Sequence, residues 1–222
     1  MSYTKAQVAK YFDHTLLKAF ATKADVEKLC QEAKEIHSYS VCVNPFFVST
    51  CKELLEGTDV KVCSVIDFPL GASDLDSKSF ECKKAIENGA QEIDYVLNVS
   101  SAKMHDWAYI RKEMETLTEI CHKEQVGIKV ILETCYLTKE EIEEVSKIAK
   151  DVCPDFIKTS TGFGTGGATV EDVRLMAETV DGLVKVKASG GIRTWKDCQA
   201  MIDAGASRIG VSASLAILEE VE

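Results

Sequence analysis

The sequence predicts an α/β chain folded as one (β/α)8 barrel, a TIM barrel, over residues 1–222. Three observations predict it. Eight short apolar or β-branched runs alternate with amphipathic helical patterns from end to end, which implies a parallel sheet with helical crossovers. A length of 222 residues suffices for one large core and falls within the range of single-domain barrels. No linker, low-complexity stretch or tandem repeat divides the chain. A doubly wound open sheet is the alternative that the same alternation allows.

The strand runs, in order, are 11–17 (YFDHTLL), 39–43 (YSVCV), 60–67 (VKVCSVID), 92–98 (EIDYVLN), 128–133 (IKVILE), 156–160 (FIKTS), 183–189 (LVKVKAS) and 208–213 (RIGVSA). Most carry few charges, as strands covered on both faces should. Between the first and second runs, Val26, Leu29, Cys30, Ala33 and Ile36 recur at helical spacing; before the sixth, Ile142, Val145, Ile148 and Ala149 do the same. Four helices open on a threonine followed three residues later by an acid: Thr22 and Asp25, Thr138 and Glu141, Thr169 and Asp172, Thr194 and Asp197. That spacing lets the hydroxyl and the carboxylate each satisfy a free backbone N–H at the helix start.

Composition excludes several function classes. Hydrophobic residues make up 45% of the chain, an ordinary globular value, and a formal net charge of −10 argues against a nucleic-acid surface. No apolar run is long enough to span a membrane, and the opening MSYTKAQVAKYFDHT lacks the apolar stretch of a secretory signal. Nine cysteines, spread from Cys30 to Cys198 without a C-x-x-C pair, form neither a disulfide framework nor a zinc ribbon. Free thiols point to a reducing, cytoplasmic setting. Of the four histidines only His14 falls in a strand run, and none forms H-x-H or H-E-x-x-H, so no metal site is expected. G-x-S-x-G and P-loop patterns are absent.

Barrel chemistry gathers at the C-terminal ends of the strands. Two lysines stand there, Lys158 in DFIKTSTG and Lys187 in LVKVKASGG, each just upstream of a glycine turn. A strand lysine facing a barrel interior is costly to desolvate, so its usual place is an ion pair or an active site; otherwise it snorkels to solvent. By strand alternation Lys158 shares a face with Ser160, and Lys187 with Lys185 and Ser189. With both faces inward, the two amines are neighbours. A free lysine titrates about three units too high to serve as a neutral nucleophile, a deficit of roughly 4 kcal/mol. A second ammonium at about 4 Å supplies about that much at an effective dielectric near 20. Lys129 and Lys185 are further strand lysines of lower rank, Lys129 as an ion-pair partner.

Asp94, inside the fourth run, is costly unless paired, and beside Lys187 it could share in proton transfer. Asp13 in the first run is a similar case. Cys42, ending the second, is a candidate for the pocket wall, or else a small buried apolar residue. Gly162-Phe163-Gly164-Thr165-Gly166-Gly167 formally matches G-x-G-x-x-G, but the acid of a dinucleotide fingerprint belongs at the end of the next strand, and Asp181 precedes it. A flexible anion loop is the better reading. Gly190 and Gly191 with a helix opening at Thr194, and then Ser212 and Ser214, occupy the loops where this fold habitually holds phosphate.

Together these segments resemble the deoxyribose-phosphate aldolase family. The matching stretches are DHTLL (13–17), CVNP (42–45), EIDYVLN (92–98), KVILET (129–134), DFIKTSTGFGTGGAT (155–169), VKASGGIRT (186–194) and GASRIGVSAS (205–214). The resemblance implies a class I aldolase that needs no cofactor or metal and cleaves 2-deoxy-D-ribose 5-phosphate to D-glyceraldehyde 3-phosphate and acetaldehyde. It implies Lys158 as the Schiff-base lysine, Lys187 as the residue that depresses its pKa, and Asp94 as their partner in proton transfer. Gly162, Gly190, Gly191, Ser212 and Thr161 would hold the phosphorylated substrate, with Asp13 and Cys42 nearby. A homodimer or homotetramer is implied as well. Two departures stand out: the final residues Leu218–Glu222 contain no tyrosine, which some relatives place in the active site, and Ala213 stands where some have a second serine. Another Schiff-base barrel of transaldolase type and a non-catalytic phosphosugar-binding barrel remain as alternatives.

Overall fold

The computed structural model describes residues 3–221. Eight parallel strands close into a barrel in sequence order. They are β1 (Phe12–Leu16), β2 (Ser40–Val43), β3 (Lys61–Ile66), β4 (Glu92–Val96), β5 (Gly127–Ile131), β6 (Phe156–Lys158), β7 (Lys185–Ser189) and β8 (Ala206–Val211). The barrel closes where β1 pairs with β8, with Asp13 opposite Gly210. A short helix α1 (Lys5–Ala9) precedes it. The surrounding helices are α2 (Lys23–Ile36), α3 (Val48–Leu54), α4 (Leu75–Glu87), α5 (Val99–Lys103), α6 (Trp107–Lys123), α7 (Lys139–Val152), α8 (Val170–Val180), α9 (Trp195–Asp203) and α10 (Ser214–Glu219).

The predicted start signals operate. Thr22, Thr138 and Thr194 form reciprocal capping boxes with Asp25, Glu141 and Asp197. Thr169 caps α8 through the Asp172 backbone N–H, without the return bond. Each strand's bounds shift by one or two residues from its sequence range, and two shifts bear on the site. β6 is three residues long and ends on Lys158, because the chain then turns into the glycine loop. β7 starts at Lys185, leaving Leu183 in an exposed turn and Lys187 at mid-strand. Of the tail singled out above, Glu222 lies outside the described residues.

Strand alternation sorts the interior into two chemistries. Val41, Val62, Ile93, Ile128, Val130, Ile157, Val186 and Ile209 belong to the apolar layer packed under the helices. The alternate positions face the barrel axis, and around its middle these are charged: Asp13, Glu92, Asp94, Lys129, Lys158, Lys187 and Arg208 are all buried. Barrel interiors are usually filled by branched apolar side chains. Here the filling is ionic, and the helix-facing layer supplies the hydrophobic core.

Candidate active site

Register brings the two predicted lysines side by side, since Lys158 at the end of β6 is the direct partner of Lys187 in β7. Both donate to the same carboxylate oxygen, Asp94 Oδ2, at 2.9 Å from Lys158 Nζ and 2.7 Å from Lys187 Nζ. The other oxygen, Oδ1, accepts from Lys129 at 2.8 Å and from the Cys63 thiol at 3.1 Å. The two amines are neighbours, as alternation predicts, and a carboxylate oxygen is bonded to both.

Lys187 is completely buried. Burial alone would depress its pKa, but Asp13 Oδ2 at 2.5 Å and Asp94 outweigh it and hold the ammonium well above the ordinary lysine range. Lys129 is raised by the same competition, burial being overcome by Asp94, Cys63, Glu92 and Asp13. Burial would raise the Asp94 carboxyl, yet Lys129, Lys158 and Lys187 pull it well below its usual range. Asp13 is likewise lowered, the cost of burial being exceeded by Lys187, Lys129 and Arg208.

A cavity of about 730 Å³ opens above this cluster, on the C-terminal side of the strands. Lys158 lines it, together with the predicted Thr161, Gly162, Gly190, Gly191 and Ser212. Lys187 and Asp94 lie just beneath. Asp13 and Cys42 are displaced from the pocket wall expected of them. Both are fully buried: Asp13 is bound to Lys187, Arg208 and Ser40, and Cys42 packs with Leu17, Cys63 and Val65. Asp13, early in β1, lies under the lysine layer, where its carboxylate serves Lys187, and Cys42 is covered by its apolar neighbours, so its thiol serves packing. Lys185, at the start of β7, is exposed at the far end of the barrel.

The loops after β6, β7 and β8 form one surface. Gly162, Gly190 and Gly191 have φ of +87°, +85° and +79°, left-handed conformations that favour glycine. The loops touch: the Ala168 N–H bonds Ser189 and Gly190 carbonyls, both at 3.1 Å, and a Cβ on Gly167 would fall 2.2 Å from the Gly190 oxygen. Ser212 is exposed on the adjoining loop. Asp181 caps the end of α8, before β7 rather than at the end of a strand, as the rejection of a dinucleotide fingerprint requires.

Several participants escaped the sequence reading. Glu133, after β5, accepts from the Thr161 N–H at 3.1 Å and from its hydroxyl, and Phe163 N–H donates to that hydroxyl at 3.0 Å. The Thr161 side chain thus shapes the loop it was expected to use on substrate. His14, on the cavity wall, bonds Ser214 Oγ at 2.8 Å and Glu32 at 2.9 Å. Burial lowers its pKa against the opposing pull of Glu32. Glu92 and Arg208 complete the charge cluster. Alternation offered a signal for Glu92, which lies two residues before Asp94 on the same strand face.

An amine, a carboxylate and a second ammonium beneath an anion-friendly mouth can form and protonate a carbinolamine or enamine. Comparison with known proteins agrees. Residues 7–220 match the family model described as DeoC/LacD family aldolase. A deoxyribose-phosphate aldolase of Thermoanaerobacter sp. (strain X514) is 53% identical over 214 residues, covering 96% of each chain. One from Thermococcus gammatolerans is 52% identical over 214 residues, 96% of this chain and 95% of the other. Among solved structures, the tetrameric deoxyribose phosphate aldolase from Aeropyrum pernix superposes with a TM-score of 0.91 at 32% identity, covering 97% of this chain and 91% of that one.

Proposed function

The chain belongs to the DeoC/LacD family of aldolases, and we propose that it cleaves 2-deoxy-D-ribose 5-phosphate reversibly to D-glyceraldehyde 3-phosphate and acetaldehyde through a Schiff base on Lys158. The observation that carries this reading is the shared oxygen: Lys158 and Lys187 meet at Asp94 Oδ2, and of the three only Lys158 lines the cavity.

Neutral Lys158 attacks the C1 aldehyde, and loss of water leaves an iminium. The iminium accepts the electron pair of the breaking C2–C3 bond while the C3 hydroxyl gives up its proton, releasing D-glyceraldehyde 3-phosphate. The remaining enamine takes a proton at carbon and is hydrolysed to acetaldehyde and free lysine. Asp94, Lys187 and water carry the protons. Lys187, held charged by Asp13 and Asp94, supplies positive potential beside the reacting nitrogen. The phosphate lies against the backbone of Gly162, Gly190 and Gly191 and the Ser212 hydroxyl. Thr161 acts through loop shape, and Asp13 through Lys187. Assembly into a homodimer or homotetramer and a cytoplasmic site of action complete the proposal.

The test is borohydride trapping with acetaldehyde followed by peptide mass mapping. An ethyl adduct on Lys158 is expected. An adduct on Lys187 alone would reverse the two roles, and no adduct on either lysine in folded protein would overturn the mechanism.

A further inference from the structure

Lys158 stands on a closed ring of six charges. Arg208 Nη1 meets Asp13 Oδ1 at 2.9 Å, and Asp13 Oδ2 meets Lys187 at 2.5 Å. Lys187 meets Asp94 Oδ2 at 2.7 Å, and Asp94 Oδ1 meets Lys129 at 2.8 Å. Lys129 meets Glu92 Oε2 at 2.6 Å, and that oxygen returns to Arg208 at 3.2 Å. Cations and carboxylates alternate, three of each, and no member's side chain is more than 5% exposed. The Arg208 guanidinium is further fixed over the Tyr39 ring, 3.3 Å from its centroid.

Lys158 touches this ring at one oxygen and belongs to neither side of its balance. A proton on Lys158 therefore adds one net charge to a buried cluster that is otherwise neutral. We propose that Glu92 and Arg208, which do not line the cavity, are positioning residues that close the ring at zero net charge and thereby keep Lys158 ready as a neutral amine. The proposal rests on Lys158 being the Schiff-base lysine. It adds two residues that touch neither the substrate nor Lys158 and act through Asp13, Lys187, Asp94 and Lys129.

The sign of each change follows from the count. Removing the Arg208 or Lys129 charge leaves the ring at minus one, which favours an ammonium on Lys158. Removing the Glu92 charge leaves it at plus one, which disfavours that ammonium. Other groups face the cluster: the Cys42 and Cys63 thiols from β2 and β3, Ser40 from β2, and Glu133 after β5, while His14, next to Asp13 on β1, points to the opposite strand face, toward Glu32 of α2. Among the described residues none of these hydrogen-bonds Lys158: Cys63 donates to Asp94, Ser40 to Asp13, and His14 and Glu133 are engaged by Glu32 and Thr161.

The experiment is the pH dependence of kcat/KM for deoxyribose 5-phosphate cleavage in Arg208→Gln, Glu92→Gln and the double variant. The acid limb, where the free enzyme's amine takes up its proton, should move alkaline by about half a unit or more in Arg208→Gln and acidic in Glu92→Gln. It should return to the parent position in the double variant, whose ring is neutral again. Lys129→Met and Glu92→Gln form a second opposed pair if Arg208→Gln does not fold. A merely structural role would lower activity or stability in all variants and leave the limb in place. Unmoved limbs, or limbs that move the same way in opposed variants, overturn the proposal. Borohydride trapping of the parent enzyme separates the two claims: an adduct on Lys158 with unmoved limbs retires the ring and keeps the mechanism, an adduct on Lys187 alone retires the ring's role toward Lys158, and no adduct on either lysine retires the mechanism.

Discussion

Lys158 and Lys187 share one oxygen of Asp94, yet their surroundings are not equivalent. Lys187 has a second carboxylate, Asp13, at 2.5 Å, while Lys158 has Asp94 alone and opens to the cavity. Removing the two side chains should accordingly have different effects. Lys158→Leu should lose activity by about 10⁴-fold or more. Its stability should stay within about 1 kcal/mol of the parent, because the ring remains balanced. Lys187→Leu should lose activity and also about 3–5 kcal/mol of stability, because Asp13 and Asp94 keep their charges without their shared partner. Urea unfolding beside a coupled activity assay checks both.

Ser212 is exposed on the loop after β8 and carries no structural bond among the described residues, so its removal should leave folding unchanged. A lost hydrogen bond to a charged phosphate is worth about 1.5–3 kcal/mol. Ser212→Ala should therefore raise KM for deoxyribose 5-phosphate by about ten-fold or more and leave turnover of unphosphorylated deoxyribose unaltered. Equal effects on the two substrates would remove Ser212 from the phosphate site.

Gly167 has no room for a side chain, since a Cβ would meet the Gly190 oxygen at 2.2 Å and its carbon at 2.5 Å. Both obstacles are backbone, so the loops after β6 and β7 must separate to admit one. Gly167→Ala should raise KM and destabilise the protein by about 1–3 kcal/mol. Gly182→Ala has open space but also a positive φ of +75°, so it measures backbone strain without a clash and should leave KM alone.

His14 gives a pH signature in stability. Its folded-state pKa is lowered, mainly by burial, so the unfolded chain takes up the proton more readily. Stability from the neutral imidazole is fully present above about pH 6.5 and is lost as pH falls through the lower folded value. The melting temperature should decline as pH is taken below 6.5, and His14→Gln should flatten that part of the curve. Scanning calorimetry of both proteins between about pH 5 and 8 would reveal an unchanged slope if the histidine contributes nothing.

The barrel was legible because its signals are local. Capping threonines, glycine turns and the strand–helix rhythm each act within a few residues. The positions of Lys158 and Lys187 on neighbouring strands followed from register, which alternation fixes. What lay hidden depends on depth along the barrel axis. Whether Asp13 lines the cavity or lies beneath Lys187 is a matter of one layer, set by the stagger between β1 and β7. Glu133 is itself left-handed, φ +54°, in a position where nothing in the sequence marks the turn. Arg208 joins Asp13 across 195 positions, a pairing that only barrel closure creates.

That closure has a consequence for how the chain folds. The ionic ring draws on β1, β4, β5, β7 and β8, so no contiguous half of the sequence contains its own partners. A fragment ending after β4 holds Asp13, Glu92 and Asp94 but none of their cations; the remaining half holds the cations alone. Like charges crowded on one sheet repel, and neither half can gain from collapse until the other arrives. Assembly is thereby driven toward a single concerted step, in which the last strand to dock discharges the whole interior at once.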